Sequence, residues 1–339
     1  MIRESCVFGF GSRLFRFEWV CYFLEKALPD SPDQSNQVNL RPIHLGEQFM
    51  ASVEIAVIGG SGLYNMEGLT DVVEHQIDTP FGKPSDAIVV GKLNGRSIAF
   101  LPRHGRGHRL NPSEVPYRAN IFALKTLGVK YVVAVNACGS LREDYAPGHI
   151  AVPDQLFDHT KGLRPGTFFA NGLVAHVSVA DPFSPELSRA LVKAVQAAGG
   201  IVHEGGNFIT IEGPRFSTKG ESHTYRRWGM DLIGMTSCPE AFLAAEAEMA
   251  YAAMAHITDY DVWHESEQPV TVEMVIRILL ANTALAQQAI AHLVADMDNW
   301  VGDFAGHHTL RDALITNRDL IPAQLRQDLA PLVEKYLEI

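Results

Sequence analysis

The chain has 339 residues, of which 47% are hydrophobic and 20% are charged, and its formal net charge is −11 at pH 7. This length suits one large domain or two ordinary ones, and the composition is typical of a soluble globular protein. The acidic balance argues against a nucleic-acid binder, because that affinity rests largely on clustered Lys and Arg. The four cysteines are widely scattered and form no C-x-x-C pair, which favours a reducing compartment. We therefore expect a cytoplasmic protein.

The sequence contains no run of about 18 apolar residues, so we expect no membrane-spanning helix. The first part of the chain differs in character from the rest: an aromatic-rich stretch precedes a polar stretch, residues 30–39, that is typical of a linker. Residues 1–49 are accordingly expected to be an appendage or the product of an over-long start-site assignment. Residues 50–300 are expected to form one domain, and residues 301–339 a C-terminal helical extension.

Strands and helices alternate through the predicted domain, which indicates an α/β fold with ligand-binding loops at the strand ends. Strands are expected at residues 53–58, 97–101, 130–135, 207–211, 232–235 and 251–257. Helices are expected at residues 116–127 and 185–198, from residue 239, from residue 271, and at 309–316 and 322–337.

A glycine-rich turn, residues 59–62, follows the first predicted strand. Glycines let a ligand approach the backbone closely, and the Ser61 hydroxyl can donate to an anion. The turn lacks the G-x-G-x-x-G spacing and the Gly-Lys-Ser/Thr ending of nucleotide-binding loops, so a plain tight turn is the alternative interpretation.

The most basic stretch of this acidic protein, residues 102–109, follows the second predicted strand and contains Arg103 and His104. Arginine offers a fixed fork of donors to phosphate, so a bound oxyanion is one interpretation and a solvated basic loop is the other. His104 and His108 have the i,i+4 spacing of a helical metal pair, but the glycines between them disfavour a helix. We therefore expect no metal site there.

Three further strand ends carry candidate ligand-binding residues. Small residues at 136–140 follow the third predicted strand and expose backbone amides, such as that of Ala137. Cys138 has no evident base beside it and is interpreted as a buried small residue rather than a nucleophile. Thr236 precedes a predicted helix, whose positive end favours an anion. Phe216, in a Gly/Pro loop, can stack on a flat heterocycle or anchor a small apolar cluster.

Two carboxylates, Asp259 and Asp261, directly follow the predicted strand 251–257. Alternation along an extended chain places both on the same side, where they can face one polar edge of a ligand. The alternative is that they cap the following turn, which is common for Asp after a strand. Combined with the candidate anion sites, the pair suggests displacement at a sugar carbon, with phosphate as nucleophile and a heterocycle as leaving group.

Six motifs occur along the chain in the order IGGSGL, PRHGRGH, NACGSL, IEGPRFS, MTSCPE and TDYDVW. Over residues 53–298 the chain thereby resembles the 5'-methylthioadenosine phosphorylases of the trimeric purine nucleoside phosphorylase superfamily. The resemblance implies a single-domain, three-layer α/β fold with a mixed central sheet flanked by helices. It also implies a homotrimer that uses inorganic phosphate as co-substrate and needs no metal or organic cofactor.

The resemblance assigns roles to residues of this sequence. Phosphate would be bound by Ser61, Arg103, His104, the amide of Ala137 and Thr236. The purine would be bound by Phe216, Asp259 and Asp261, and the ribose by Met235. The 5'-methylthio pocket would be lined by His108, Pro112, Val272, Val275 and Ile276, and by His176 from a neighbouring subunit.

The implied reaction converts 5'-methylthioadenosine and phosphate into adenine and 5-methylthioribose 1-phosphate. Asp259 would be the catalytic residue that protonates purine N7, and Asp261 would accept a hydrogen bond from the exocyclic amino group. Phosphate would attack from the opposite face, with inversion at the sugar carbon.

Three alternatives to this activity remain open at this point. The first is a phosphorylase for 6-oxopurine nucleosides such as inosine, guanosine or methylthioinosine. The second is a noncatalytic nucleoside-binding protein. The third is a phosphatase that uses the Arg103-His104 pair, although that scheme needs a second catalytic His and a loop near the chain start, and neither is evident. The sequence also departs from the family pattern, with Gly234 where animal members tend to carry Asn and Asn136 where some members have Thr.

Overall fold

The computed structural model describes residues 53–60, 62–265 and 272–337, and for residues 272–281 it describes the backbone alone. The predicted N-terminal extension therefore lies outside the described residues, as does Ser61.

A single mixed sheet organises the described residues. Its strands are β1 (Ile55–Gly59), β2 (Thr70–His75), β3 (Ile88–Leu93), β4 (Arg96–Pro102), β5 (Tyr131–Ser140), β6 (Ile150–Val152), β7 (Gln155–His159), β8 (Val202–Glu204), β9 (Asn207–Ile211), β10 (Leu232–Gly234) and β11 (Ala250–Asp259). The order is β2-β3-β4-β1-β5-β10-β9-β7, while β11 pairs with β5 and β6, and β6 with β8. Strands β4, β1, β5 and β11 run parallel to their neighbours in this group, so their carboxyl ends meet at one edge of the sheet.

Helices cover the sheet. They are α1 (Tyr117–Thr126), α2 (Pro185–Ala197), α3 (Lys219–Arg227), α4 (Ser237–Glu246), α5 (Val272–Asp296), α6 (Ala323–Asp328) and α7 (Ala330–Leu337). Their starts follow from local sequence. The Ser184 hydroxyl caps α2 by accepting the Leu187 N–H, and Thr218 with Glu221 forms a capping box at α3.

Two hydrophobic clusters lie on opposite faces of the sheet. One contains buried residues of α1 and α4, such as Ile121 and Leu243. The other contains buried residues of α2 and α5, such as Leu191 and Ile290. A mixed sheet between two helical layers confirms the predicted three-layer fold. The C-terminal residues 301–337 are part of this packing, because several of their apolar side chains, Val333 among them, belong to the first cluster.

The predicted helix at residues 309–316 is wrong, because the structure has turns there. Some backbone groups of this segment form turns, such as the Ala313 N–H that donates to the Leu310 carbonyl at 3.2 Å, and others bond to distant segments. The Leu310 N–H donates to Glu248 Oε1 at 3.0 Å, and the Ile315 N–H donates to the Val174 carbonyl at 3.1 Å. The predicted C-terminal helix at 322–337 is likewise two helices, α6 and α7.

The structure also corrects the ends of two strands. Residues 136–140, predicted as a loop, continue β5, and Asp259, predicted to follow a strand, is the last residue of β11. The cause is mutual pairing, because residues of β5 up to Gly139 align with β11 up to Asp259. Both strands therefore reach further towards the ligand-binding edge than their apolar runs suggest.

Candidate active site

A cavity of about 450 Å³ lies at the carboxyl ends of the parallel strands. Most of the residues predicted from the sequence form its wall. They are Arg103, His104, His108, Pro112, Ala137, Phe216, Met235, Thr236, Asp259 and Asp261. The fold therefore brings together the carboxylates and the basic loop, which are more than 150 residues apart in the chain.

The remaining predicted residues do not appear in this wall. Ser61 and the side chains of Val272, Val275 and Ile276 lie outside the described residues. His176 is described but is not part of the wall: it is exposed, and its N–H donates to the Ala313 carbonyl at 2.9 Å. Its predicted role in a neighbouring subunit's pocket stays a prediction.

Arg103 is buried at the base of the cavity and is already paired. Its Nε donates to Glu240 Oε2 at 2.7 Å, and its Nη2 donates to Glu240 Oε1 at 2.8 Å. Two backbone carbonyls, those of Val135 and Ile58, accept from Nη1 and Nη2. Burial by itself would lower the pKa of Arg103, but the adjacent Glu240 carboxylate raises it. Since a guanidinium has five N–H groups, these four bonds leave one on Nη1 for a ligand.

His104 is a neutral group in this site. Its Nδ1 lies 2.8 Å from the Leu110 carbonyl, so Nδ1 carries the proton and donates. Burial, followed by the charge of Arg103, lowers the pKa of His104 to about 4. At neutral pH the remaining nitrogen, Nε2, is therefore an acceptor. The predicted basic loop therefore supplies fewer cations to the cavity than its sequence suggests.

Thr236 lies at the start of α4, where helix amides favour an anion. It is 8% exposed and lines the cavity. The next turn is irregular, because Cys238 has φ −103° and ψ 134° and regular helix begins only after it. Asn136 supports this segment from β5 by donating from Nδ2 to Ser237 Oγ at 3.1 Å.

Asp259 both caps the following turn and faces the cavity, so the two interpretations of the carboxylate pair apply to it together. Its Oδ1 accepts the Asp261 N–H at 2.8 Å and so caps the turn, while its Oδ2 accepts from the Thr258 hydroxyl at 2.7 Å. The side chain also lines the cavity and is 7% exposed. Burial raises the pKa of Asp259 to about 6, against an ordinary value of 3.8. Gly139 permits this position, since a Cβ there would lie 2.9 Å from Asp259 Oδ1.

Asp261 lies beside Asp259 in the same wall and has a left-handed backbone, with φ 51°. Burial raises the pKa of its carboxyl. Phe216, two-fifths exposed, lines the cavity nearby, so its ring is available for contact with a ligand.

Arg164 is a residue of this site that the sequence patterns do not indicate. Its side chain is 1% exposed. One guanidinium donates to the carbonyls of Met235 and Cys238 at 2.7 Å each, to the Glu212 carbonyl at 2.6 Å and to Glu212 Oε1 at 3.0 Å. It thereby ties the loop that carries Phe216 to the end of β10.

Glu240 is a second such residue, and a signal for it does exist. It stands in an Ala-rich helix, between the buried apolar residues Pro239 and Ala241. A carboxylate on that face needs a partner, and the structure supplies two, Arg103 and the hydroxyl of Tyr251, which donates to Glu240 Oε1 at 2.9 Å. The identity of those partners cannot be read from the helix alone.

Gly234, one of the departures from the family pattern, has a steric cause. A Cβ at this position would lie 2.5 Å from Cζ of Phe208, which is fully buried in β9. The phenyl ring therefore occupies the space that a side chain at 234 would need. An Asn at this position requires a smaller neighbour at 208.

Cys138 is buried, as predicted, and lines the cavity; burial raises the pKa of its thiol far above its usual range, which disfavours the thiolate. Among the described residues, no cluster of three or more His, Cys, Asp or Glu side chains is arranged to hold a metal ion. No described helix is long and apolar enough to cross a membrane.

Comparison with known proteins agrees with this geometry and confirms the resemblance. The model of a family described as the phosphorylase superfamily matches residues 54–296. The S-methyl-5'-thioadenosine phosphorylase of Chloroflexus aurantiacus is 57% identical over 287 residues, which cover 85% of this chain and 99% of that protein.

Solved structures give the same result. A methylthioadenosine phosphorylase sourced from an antarctic soil metagenomic library has a TM-score of 0.80 at 49% identity, covering 83% of this chain and 99% of its own. A variant of the adenosine/methylthioadenosine phosphorylase from Schistosoma mansoni in complex with methylthioadenosine has a TM-score of 0.68 at 37% identity, covering 74% and 93%. This chain belongs to the phosphorylase superfamily.

Proposed function

We infer that this chain is a pentosyltransferase that catalyses the phosphorolysis of 5'-methylthioadenosine to adenine and 5-methylthioribose 1-phosphate. Relatives that match nearly their whole length to it are named for this activity. The observation that carries the inference is the burial of Asp259 and Asp261 in the same cavity as Arg103 and Thr236. Carboxyl groups for a purine and donors for an anion within one chamber suit a reaction in which phosphate replaces a base on a sugar.

Phosphate would lie between the remaining Nη1–H of Arg103, the hydroxyl of Thr236 and the amide of Ala137. His104 would accept from a phosphate hydroxyl, in keeping with its Nδ1–H bond to Leu110. Fixed donors of this kind hold the nucleophile in line with the sugar carbon and lower the entropic part of the barrier.

At the other end of the substrate, Asp259 would give its proton to purine N7 while the glycosidic bond breaks. The bonding electrons pass to the purine, and a phosphate oxygen forms the new bond to the sugar carbon with inversion. A pKa of about 6 for Asp259 leaves part of the carboxyl protonated near neutral pH, as a general acid requires. Asp261 would accept from the exocyclic amino group, Phe216 would pack on the adenine, and Met235 would lie against the ribose.

The 5'-methylthio group would contact His108 and Pro112, which line the cavity, together with Val272, Val275 and Ile276. We propose that the enzyme is a homotrimer in which His176 completes this pocket in a neighbouring subunit. The exposure of His176 outside its own cavity supports the idea. Sedimentation analysis tests the assembly, and a dimeric or monomeric active enzyme would contradict it.

We propose further that the enzyme works in the cytoplasm and that phosphate is its only co-substrate, with no metal or organic cofactor. The free thiols of Cys138 and Cys238 support a reducing compartment. Full activity after dialysis against a chelator is the expected result, and activity that returns only on addition of a metal would contradict the proposal.

The decisive assay incubates the protein with methylthioadenosine, with and without inorganic phosphate, and measures adenine. Phosphate-dependent release is expected. Release without phosphate would identify a nucleosidase, and no release under either condition would favour a binding role.

Base preference is tested by replacing methylthioadenosine with inosine in the same assay. The proposed role of Asp261 predicts slow turnover, because a 6-oxo group is an acceptor and cannot donate to a carboxylate. Inosine turnover as fast as that of methylthioadenosine would overturn that role and support the 6-oxopurine alternative.

A further inference from the structure

The cavity wall contains a buried histidine to which neither the motifs nor the proposed reaction gives a role. His256 lies in β11, where it is the register partner of Ala137 in the adjacent parallel strand β5, and both residues line the cavity. Partners on adjacent strands project to the same side of the sheet. The imidazole of His256 therefore emerges beside the backbone of Ala137.

The ring of His256 is 1% exposed, and neither Nδ1 nor Nε2 has a hydrogen-bond partner among the described residues. Burial lowers the pKa of His256 to about 4, so the ring is neutral, with one N–H donor and one acceptor nitrogen. An unsatisfied buried polar group costs about 1–3 kcal/mol, and an apolar side chain would fill this place without that cost. A group inside the cavity is therefore the natural partner of the ring.

A second unsatisfied donor reaches the same cavity from α5. Asn282 is 9% exposed, lines the cavity, and has no partner for its Nδ2 within the described part of the chain. Helix α5 is fixed against the glycine-rich turn, because Gln287 Nε2 donates to the Gly62 carbonyl at 2.9 Å. Asn282 therefore projects from the helix that contacts this turn.

The charges along the cavity wall distinguish the part near Arg103 and the glycine-rich turn from the part that contains Asp259 and Asp261. Asp259 and Asp261 supply the cavity-lining carboxylates of the described residues. Arg103 adjoins the glycine-rich turn, because its backbone N–H donates to the Gly59 carbonyl at 2.9 Å, and the nearby Glu240 carboxylate accepts from Arg103 and Tyr251. Donors without a free carboxylate suit an anion.

We propose that the His256 imidazole and the Asn282 side-chain amide are further binding groups for the phosphate co-substrate, each donating one N–H to a phosphate oxygen. This rests on the proposed function and extends its phosphate site by two neutral donors. Neutral donors hold the anion without adding a compensating charge, so the phosphate keeps its nucleophilic character.

The test compares His256→Leu, His256→Gln and Asn282→Leu with the wild type in steady-state kinetics. Leu removes the donor at similar volume, whereas Gln keeps an N–H. His256→Leu should raise the KM for phosphate about tenfold and leave the KM for methylthioadenosine within twofold, since one hydrogen bond to an anion is lost. His256→Gln should recover much of the affinity, and Asn282→Leu should raise the phosphate KM about fivefold.

His307→Leu is the matched control. His307 is also a buried histidine, but it is not part of the cavity wall, and its Nε2 lies 3.2 Å from the Lys130 carbonyl. Its substitution should leave the phosphate KM unchanged. The proposal would be overturned if His256→Leu and Asn282→Leu both left the KM for phosphate unchanged. It would also be overturned if they raised the KM for phosphate and the KM for methylthioadenosine equally.

Calorimetric titration of the nucleoside-free protein with inorganic phosphate separates this inference from the proposed function. Weaker phosphate binding by Asn282→Leu or His256→Leu than by the wild type supports the inference without any turnover. If the wild type binds phosphate but releases adenine without it, the proposed function fails while the binding comparison still decides the role of His256. If His256→Leu does not fold, Asn282→Leu still tests the proposal, because phosphate binding as tight as that of the wild type in this variant would overturn it.

Discussion

The two ends of the cavity treat buried charge in opposite ways. At the end proposed to bind the purine, the purine end, Asp259 and Asp261 are buried close together with no cationic side chain bonded to either carboxylate among the described residues, and burial raises the pKa of both. At the end proposed to bind phosphate, the phosphate end, Arg103 donates from Nε and Nη2 to the two carboxylate oxygens of Glu240. The purine end thus contains a carboxyl group that is partly protonated near neutral pH, and the phosphate end contains a guanidinium that stays charged. Proton transfer needs the first arrangement, and rigid positioning of an anion needs the second.

The largest expected effect comes from removing the proton donor. Asp259→Asn should lower kcat about thousandfold, because the amide has no proton to give to the leaving purine and general acid catalysis contributes about 10²–10⁴-fold. The measurement is phosphorolysis of methylthioadenosine at saturating phosphate. Asp78→Asn is the control, since that side chain is 86% exposed and is not part of the cavity wall. Near-wild-type turnover by Asp259→Asn would refute the division of roles between the two ends.

Substitution within the Arg103–Glu240 pair should change the free energy of unfolding and not proton transfer. Glu240→Gln leaves the buried Arg103 charge uncompensated and should reduce the free energy of unfolding by about 4 kcal/mol. Urea denaturation followed by circular dichroism measures the change. The double variant Arg103→Met/Glu240→Leu removes both charges and should be destabilised less than Glu240→Gln. A double variant that is less stable than the single one would show that the pair is net stabilising and would contradict this reasoning.

The ionisation of Asp259 should make the free energy of unfolding depend on pH. Folding raises the pKa of Asp259 from 3.8 to about 6, so the protonated form is favoured in the folded state. Its stabilising contribution is complete below about pH 4 and is lost as pH rises through 6. Asp259→Asn cannot ionise and should therefore be more stable than the wild type by about 3 kcal/mol at pH 7.5, with little advantage at pH 4. Urea titrations at both pH values test this, and a pH-independent difference would exclude ionisation as the cause.

The smallest expected effect concerns the second carboxylate. Asp261→Asn replaces an acceptor by a group that can also donate, so the ratio of inosine to methylthioadenosine turnover should rise about tenfold. Competition between the two nucleosides in one assay measures this ratio directly. If the ratio does not change, base selection lies elsewhere in the wall, and Asp261 serves only to shape the turn beside Asp259.

The purine end was the more predictable of the two from sequence. Asp259, Asp261 and Phe216 belong to short local motifs at strand ends, and the fold places them together because parallel strands share an edge. The alternation rule also put the two carboxylates in one wall, although Asp259 ends β11 instead of following it.

The phosphate end was predicted only in part. Arg103 and Thr236 were identified from local patterns, but the Arg103–Glu240 pair joins residues 137 positions apart, and no periodicity reports such a partner. The same limit applies to Arg164, which stands in an unremarkable loop and acts through three carbonyls at the end of β9 and around the start of α4. The hydrophobic pattern of a strand or helix indicates which of its own residues are buried. The contacts of Arg103 and Arg164 depend instead on which strands, helices and loops pack against one another.

The pairing of Arg103 also bears on how phosphate reaches the protein. The chain carries a formal charge of −11, which repels an anion at long range. The exposed arginines of the basic loop do little to offset this, because Arg106 contacts Glu74 and Arg109 lies 3.6 Å from Asp86. Capture of phosphate should therefore gain nothing from electrostatic steering, and added salt should screen a repulsion instead of an attraction. At low ionic strength this repulsion should therefore slow the association of phosphate, and the site itself attracts the anion only at hydrogen-bonding range.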